Sequence, residues 1–137
     1  MKFRYKEVAL GVFRPIIRVA IKNPKDTGRH IECHALIDSG ADMNLFSSDI
    51  AEAIGLDLES GKKGTVSGIT AGESQATYTI PVILSVGGWE YRVDMSFMKT
   101  LSRNGHGLLG QKGFFDLFHS ITFDYPKQEV IIKAITA

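Results

Sequence analysis

The sequence predicts a mainly β protein with one or two short helices, built as a small barrel or sandwich. Three observations predict this. Most apolar segments alternate at period two rather than 3.6. Turn signals recur between them, drawn from 14 glycines and four prolines. Helical patterning is confined to two short stretches, near residues 49–55 and 114–118.

Taken in order, the N-terminal stretch from Phe3 to Val12 reads as a strand. Ile16–Ile21 is rich in β-branched residues, which favour strands. The turn-rich Asn23–Gly28 follows, and then Arg29–Ile37 alternates, with Ile31, Cys33, Ala35 and Ile37 on one face. That is a hairpin. Asp49–Gly55 reads as a short helix: Asp49 and Glu52 have capping-box spacing, and Gly55 is a stop. Thr77–Val86 and Trp89–Met98 flank Gly87-Gly88, whose glycines permit the positive φ of a two-residue hairpin turn. Phe114–Phe118 holds one or two helical turns. Ile121–Tyr125 and Glu129–Ile135 flank Pro126–Gln128 as a third hairpin. No repeat, linker or low-complexity tract interrupts residues 1–137, so one domain is expected.

Composition excludes several classes. Sixteen basic and 15 acidic residues leave a net charge of +1, without the basic excess of a nucleic-acid binder. The apolar run Val8–Phe13 is too short for a membrane span or a signal-peptide core. The single cysteine, Cys33, excludes an intrachain disulfide framework and a multi-cysteine zinc site. It fits a reducing compartment, so a cytoplasmic location is expected.

The segment Ala35-Leu-Ile-Asp-Ser-Gly-Ala-Asp42 runs an apolar strand straight into a carboxylate. A lone carboxylate at a buried strand end is costly. Ser39 and Gly40 offer a hydroxyl and an open backbone beside it. Taken alone, the tripeptide is an ordinary strand-to-helix turn. With its flanks, Leu36-Ile37-Asp38-Ser39-Gly40-Ala41-Asp42 resembles the active-site loop of the retropepsin-like aspartic proteases. Leu108-Leu109-Gly110, followed by a short helix, resembles a second element of that family. The closing Ile121–Pro126 hairpin resembles its stand-alone bacterial members. The likeness spans roughly residues 8 to 135.

The resemblance implies a closed retropepsin-like barrel and peptide-bond hydrolysis without cofactor or metal. The chemistry needs two carboxylates, one ionised to take a proton from water and one protonated to hold the scissile carbonyl. One chain supplies one suitable loop. The resemblance therefore implies a homodimer acting on a peptide or protein substrate, with Asp38 of each chain at the twofold axis. By the same likeness, Ser39 helps hold the loops together and Gly40 meets substrate through its backbone. Asp42 binds substrate backbone or a basic group, and Gly110 packs behind the catalytic loop, with Ala41 completing the motif. Retroviral members carry Arg after that glycine, paired with the acid at the Asp42 position. Gln111 stands here instead, leaving Lys112 as a possible substitute. The family's flap corresponds to Gly64–Ala76, with Ser67, Gly68, Ile69, Thr70, Ala71 and Gly72 at its tip. The terminal strands, Phe3 to Val12 and Val130 to Ile135, are the dimer-interface candidates by analogy.

Competing signals are weaker. Asp26-Thr27-Gly28 also has the acid-hydroxyl-glycine pattern, but no apolar strand leads into it, so Asp26 reads as turn chemistry. Gly105-His-Gly-Leu-Leu-Gly110 matches a dinucleotide-binding pattern without the strand and long helix that motif needs. His30 and His34 lie four residues apart on a strand, about 13 Å, too far to share one ion. His106 and His119 read as loop or surface. Cys33 reads as core, as do Phe114, Phe115 and Phe118. The alternative to a protease is the same fold kept as a non-proteolytic peptide-binding or dimerisation module. An unrelated β-barrel binder is the remaining option.

Overall fold

Alternating β-branched segments form strands that bury one face, and the computed structural model shows how they are joined. It describes residues 1–70, 73–99, 101 and 106–135, with the backbone alone at 67–70 and 73. The main sheet runs in the order β4 (Ile16–Asn23), β5 (Asp26–Ile37), β10 (Gly107–Leu109), β6 (Leu45–Ser47), β9 (Trp89–Met98), β8 (Glu73–Val86) and β7 (Lys62–Thr70). Strand β4 also pairs with β8 through Ala20↔Ser85, Ile21↔Leu84 and Lys22↔Ile83. The sheet thereby returns to its first strand, a closed circuit of hydrogen-bonded neighbours. Inside it lie Ile17, Val19, Ile21, Ala35, Ile37, Phe46, Leu84 and Phe97, all buried.

Strand β5 follows the expected alternation. Ala35 and Ile37 are buried, while His30 and Glu32 on the other face are exposed. The β4–β5 turn is tighter than Asn23–Gly28, because Asn23 already pairs with Asp26. Asn23 braces the turn from both sides: its side chain accepts from the Lys25 backbone N–H at 2.9 Å and donates to the distant Ile54 carbonyl at 3.0 Å. Asp26 is therefore the first residue of a strand, and it is exposed. The Gly87-Gly88 turn has φ of +58° and +86°, as a two-residue hairpin requires.

Helix α1 (Ser48–Ala53) starts earlier than the sequence pattern implied. Its N-cap is Ser47, whose hydroxyl accepts from the Asp49 N–H at 3.2 Å, so Asp49 lies in the first turn. There it still opposes the positive end of the helix dipole. Gly55, at φ +74°, ends the helix as expected. The second helical stretch is one 3-10 turn, Phe115–Leu117. Phe114 and Phe118 on either side are buried and meet edge to face at 5.2 Å.

The N-terminal stretch is not one strand. It breaks into β1 (Lys2–Arg4), β2 (Lys6–Ala9) and β3 (Val12–Arg14), because Leu10-Gly11 turns the chain back with Gly11 at φ +74°. Strand β1 joins β12 (Glu129–Ala134) and β11 (Phe118–Asp124) in a separate sheet ordered β1-β12-β11. Strand β12 is thus covered on both edges by its own chain.

Candidate active site

Asp38 owes its position to two strand ends that finish side by side. Strands β5 and β10 run parallel, with Leu36 beside Leu108 and Ile37 beside Leu109. Both chains then leave the sheet together. The Asp38 N–H donates to the Leu109 carbonyl at 3.0 Å, continuing the ladder one step beyond the strand. The Gln111 N–H donates to Ala41 O at 2.8 Å, and the Lys112 N–H to Asp42 O at 2.9 Å. The loop that carries Asp38 is therefore laced to a loop about 70 residues later in the chain.

Gly110 makes that lacing possible. A Cβ there would lie 2.5 Å from Met43 O and 2.7 Å from Ala41 O. Asn44 completes the junction. It is wholly buried, and its Nδ2 donates to Gly113 O while its Oδ1 accepts from the Gly110 N–H, both at 3.0 Å. Its own carbonyl accepts from the Ser96 N–H on β9 at 3.0 Å. The sequence reading passed over Asn44. Its only signal was an amide set between the apolar Met43 and Leu45 at a strand entry, where an unpartnered side chain would be expensive.

Within the loop, Asp38 is half-buried and its Oδ1 accepts from the Gly40 N–H at 2.9 Å. The Ala41 N–H closes a turn onto the Asp38 carbonyl at 3.1 Å. One carboxylate oxygen is so fixed by the backbone, and Ser39 and Gly40 are exposed beside it. The Gln111 side chain does not reach Asp42. Its Nε2 donates to the Ser39 carbonyl at 2.7 Å, a further tie between the loops. Among the described residues neither Gln111 nor Lys112 pairs with the Asp42 carboxylate, which is exposed. Among the described residues the ion pair of the retroviral pattern has no counterpart, and an amide stands in place of its cation.

A cleft of about 350 Å³ opens over this loop. Asp38, Gly40, Ala41 and Asp42 form one wall. Thr65, Val66 and Thr77 form another, from the arms of the β7–β8 hairpin. Leu45, Ser96 and Leu108 line the rest with Met43. The hairpin occupies the interval expected of the flap, and its strands are paired from Lys62↔Thr79 to Thr70↔Glu73. Of the tip residues, Ser67, Gly68, Ile69 and Thr70 belong to β7, while Ala71 and Gly72 lie outside the described residues. The cleft thus combines one backbone-anchored carboxylate, a second exposed one and walls of apolar and hydroxyl side chains.

The sequence profile of the aspartyl protease family matches residues 19–112. The chain belongs to the aspartyl protease family. The matched span holds the Asp38 loop, the β7–β8 hairpin and Gly110. Among solved structures, this family member is similar to a retropepsin-like aspartic protease from Rickettsia conorii. Identity is 16%, the TM-score is 0.63, and 95% of this chain and 97% of that one are covered. It is also similar to EIAV protease complexed with the inhibitor HBY-793, at 23% identity and a TM-score of 0.48 over 71% of this chain and 81% of that one. No curated protein matches in sequence. The fold of this family member is retropepsin-like.

The competing motifs fall elsewhere. Gly107 lies in β10, where a Cβ would collide with the Phe46 ring, so that glycine serves core packing. Gly105 lies outside the described residues. His30 and His34 are on β5, opposite Lys22 and Arg18. His119 is on β11, and both it and His106 are exposed. Burial pushes the Cys33 thiol up to about 11, so it stays protonated and poorly nucleophilic near neutral pH. The His34 imidazole is held below its ordinary value, first by desolvation and then by the neighbouring Lys6, Arg18 and His106. No helix among the described residues is long and apolar enough to cross a membrane.

Proposed function

We propose that this chain is an aspartic endopeptidase whose active unit is a homodimer, with Asp38 of each copy at one shared cleft. The observation that carries the reading is the placement of Asp38. It stands on a loop laced to the β10 loop, one oxygen held by the Gly40 N–H, facing a cleft roofed by a hairpin. A cleft wall made by one chain supplies one such carboxylate, and the chemistry takes two.

Two carboxylates brought to about 3 Å cannot both ionise, so the pair holds one proton. The ionised member takes a proton from a water as that water's oxygen bonds to the scissile carbonyl carbon. The protonated member hydrogen-bonds the carbonyl oxygen while it gains negative charge. Collapse of the tetrahedral species breaks the C–N bond, and the leaving nitrogen receives the proton. Ser39 and Gln111 support the loop, and Gly40 and Asp42 offer backbone and carboxylate to an extended peptide. The β7–β8 hairpin, with Ser67–Gly72 at its tip, covers that peptide and limits water. The chain acts on peptide or protein, without metal or cofactor. Its single, unreactive cysteine accords with a cytoplasmic site of action.

The test is Asp38→Asn, an isosteric change that removes the ionisable group. Cleavage of a peptide library should vanish while circular dichroism and sedimentation stay as in the parent. Residual cleavage by the variant would remove Asp38 from the mechanism. Peptide binding without turnover by the parent, from acidic to neutral pH, would make the chain a binding module instead.

A further inference from the structure

The cleft beside Asp38 is not uniformly apolar, and the inference drawn from that rests on the protease reading and sharpens it. On β8 the core-facing residues are Ile80, Val82 and Leu84. Thr77 and Thr79 fall on the opposite face by the period of two. Thr77 lines the cleft, yet only 6% of its surface is exposed. A threonine that deep in a fold normally spends its hydroxyl on a partner. Among the described residues this hydroxyl has none, and its oxygen is not sealed off from the cleft.

The neighbouring hydroxyls are already engaged. Ser96 sits opposite Thr79 on β9, and their hydroxyls are 2.8 Å apart. The Ser96 hydroxyl donates to the Met43 sulfur at 3.7 Å, so Thr79 supplies the proton between the two. Of the three, Thr77 is the one with an uncommitted donor and acceptor. The opposite strand keeps it uncovered. Thr77 pairs with Gly64 on β7, where a Cβ would stand 3.2 Å from the Thr77 Oγ1, tighter than ordinary contact. Met43, Leu45, Val66 and Leu108 make the nearby walls apolar. Asp42 also lines the cleft, but it is exposed, and a cation paired with it there would gain little.

We propose that Thr77 sets substrate preference, selecting an uncharged side chain that hydrogen-bonds, a carboxamide or a hydroxyl, within two residues of the bond that is cut. An apolar side chain in this pocket would shut the Thr77 hydroxyl away from water with nothing to bond. A charged one would give up its hydration to apolar walls for a single neutral partner. A carboxamide or hydroxyl accepts the Thr77 proton or donates to its oxygen. Asp38 and Thr77 share one cleft of about 350 Å³. Such a cleft is roughly 7 Å across and an extended peptide advances about 3.3 Å per residue, which limits the separation to two residues.

The test uses the full chain and a degenerate octapeptide library, with cut sites sequenced by mass spectrometry. Peptides built on the best sequence then carry the near-isosteric pairs Asn/Leu and Thr/Val at each position around the cut. The first pair reports a carboxamide, the second a hydroxyl. At one position within two residues of the cut, the parent should favour the polar member of at least one pair by at least about tenfold in kcat/KM. In Thr77→Val, which keeps the shape, that ratio should fall to within twofold of unity while selectivity at the other positions is kept. Gly64→Ala, which crowds the same hydroxyl, should lower the ratio as well, and it stands in if circular dichroism shows Thr77→Val misfolded. Parent ratios within twofold of unity, Lys preferred over both Asn and Thr at that position, or a polar preference kept by the folded variant would overturn the role of Thr77. Binding of the same library to Asp38→Asn gives a readout free of turnover. If the parent cleaves nothing, yet Asp38→Asn retains Asn- or Thr-bearing peptides over Leu and Val ones and loses that bias when Thr77→Val is added, the protease reading falls and the pocket stands. No bias in either readout would overturn the pocket.

Discussion

Replacing Gly110 by alanine tests whether the two loops at the cleft are as closely laced as described. The new Cβ would stand 2.5 Å from Met43 O and 2.6 Å from Met43 C, both backbone atoms, where real contacts stay beyond 3.0 Å. The loops must therefore part by at least the difference. A ladder bond of 2.8 Å, such as Gln111 N–H to Ala41 O, would stretch to about 3.3 Å, beyond the usual range. Overpacking of this kind costs about 1–3 kcal/mol. Weakening two or three bonds, each worth about 0.5–1.5 kcal/mol intact, adds to it. The expected loss is about 2–4 kcal/mol in urea denaturation, or roughly 6–15 °C in melting temperature for a chain of this size. Asp38 rides on the displaced loop, so kcat should fall about tenfold, since displacements of this order disturb reacting geometry. Gly28→Ala is the control: its Cβ would meet only the Asp26 carboxylate at 3.6 Å, and it should stay within about 0.5 kcal/mol of the parent. If Gly110→Ala matched that control, the close approach of Met43 and Ala41 to Gly110 would be wrong.

Two further changes probe the surroundings. Asn44→Ala strands the Gly110 N–H and the Gly113 carbonyl in a buried junction, which at about 1–3 kcal/mol each should lower urea stability by about 2–5 kcal/mol; a loss under 1 kcal/mol would mean other partners take over. Desolvation and the nearby cations lower the His34 pKa in the fold, so the unfolded chain takes up a proton first as pH falls below about 6.5. Stability is then lost on acidification until the lower folded value is reached. The drop in melting temperature between pH 7.5 and 5.5 should be smaller in His34→Gln than in the parent, and equal drops would count against that account.

The sequence made the strands and the Asp38 loop readable because both are local. Alternation in Arg29–Ile37 and the Gly87-Gly88 turn depend on neighbours a few residues away, and so does an apolar run into Asp-Ser-Gly. What it concealed depends on distance along the chain. The pairing of β5 with β10 sets residue 37 beside residue 109, and no local pattern announces a partner so remote. Asn44 and Gln111 acquire their roles only through that pairing. The N-terminal stretch was misjudged for another reason. Val8–Phe13 has the composition of a strand, and only the positive φ of Gly11 shows that it folds back on itself. The helix start moved because Ser47 outcompeted Asp49 for the cap, a choice between two good capping residues two positions apart.

The lacing of residues 38–42 to residues 109–112 also bears on the order of events during synthesis. A ribosome delivers the Asp38 loop early, but its partner ladder does not exist until the chain has been made past Lys112. Until then the carboxylate sits on a loop without support, facing no cleft. Contacts this far apart in sequence form late and slowly. The geometry around Asp38 is thus a late product of synthesis: it can form only after the chain has been made past Lys112.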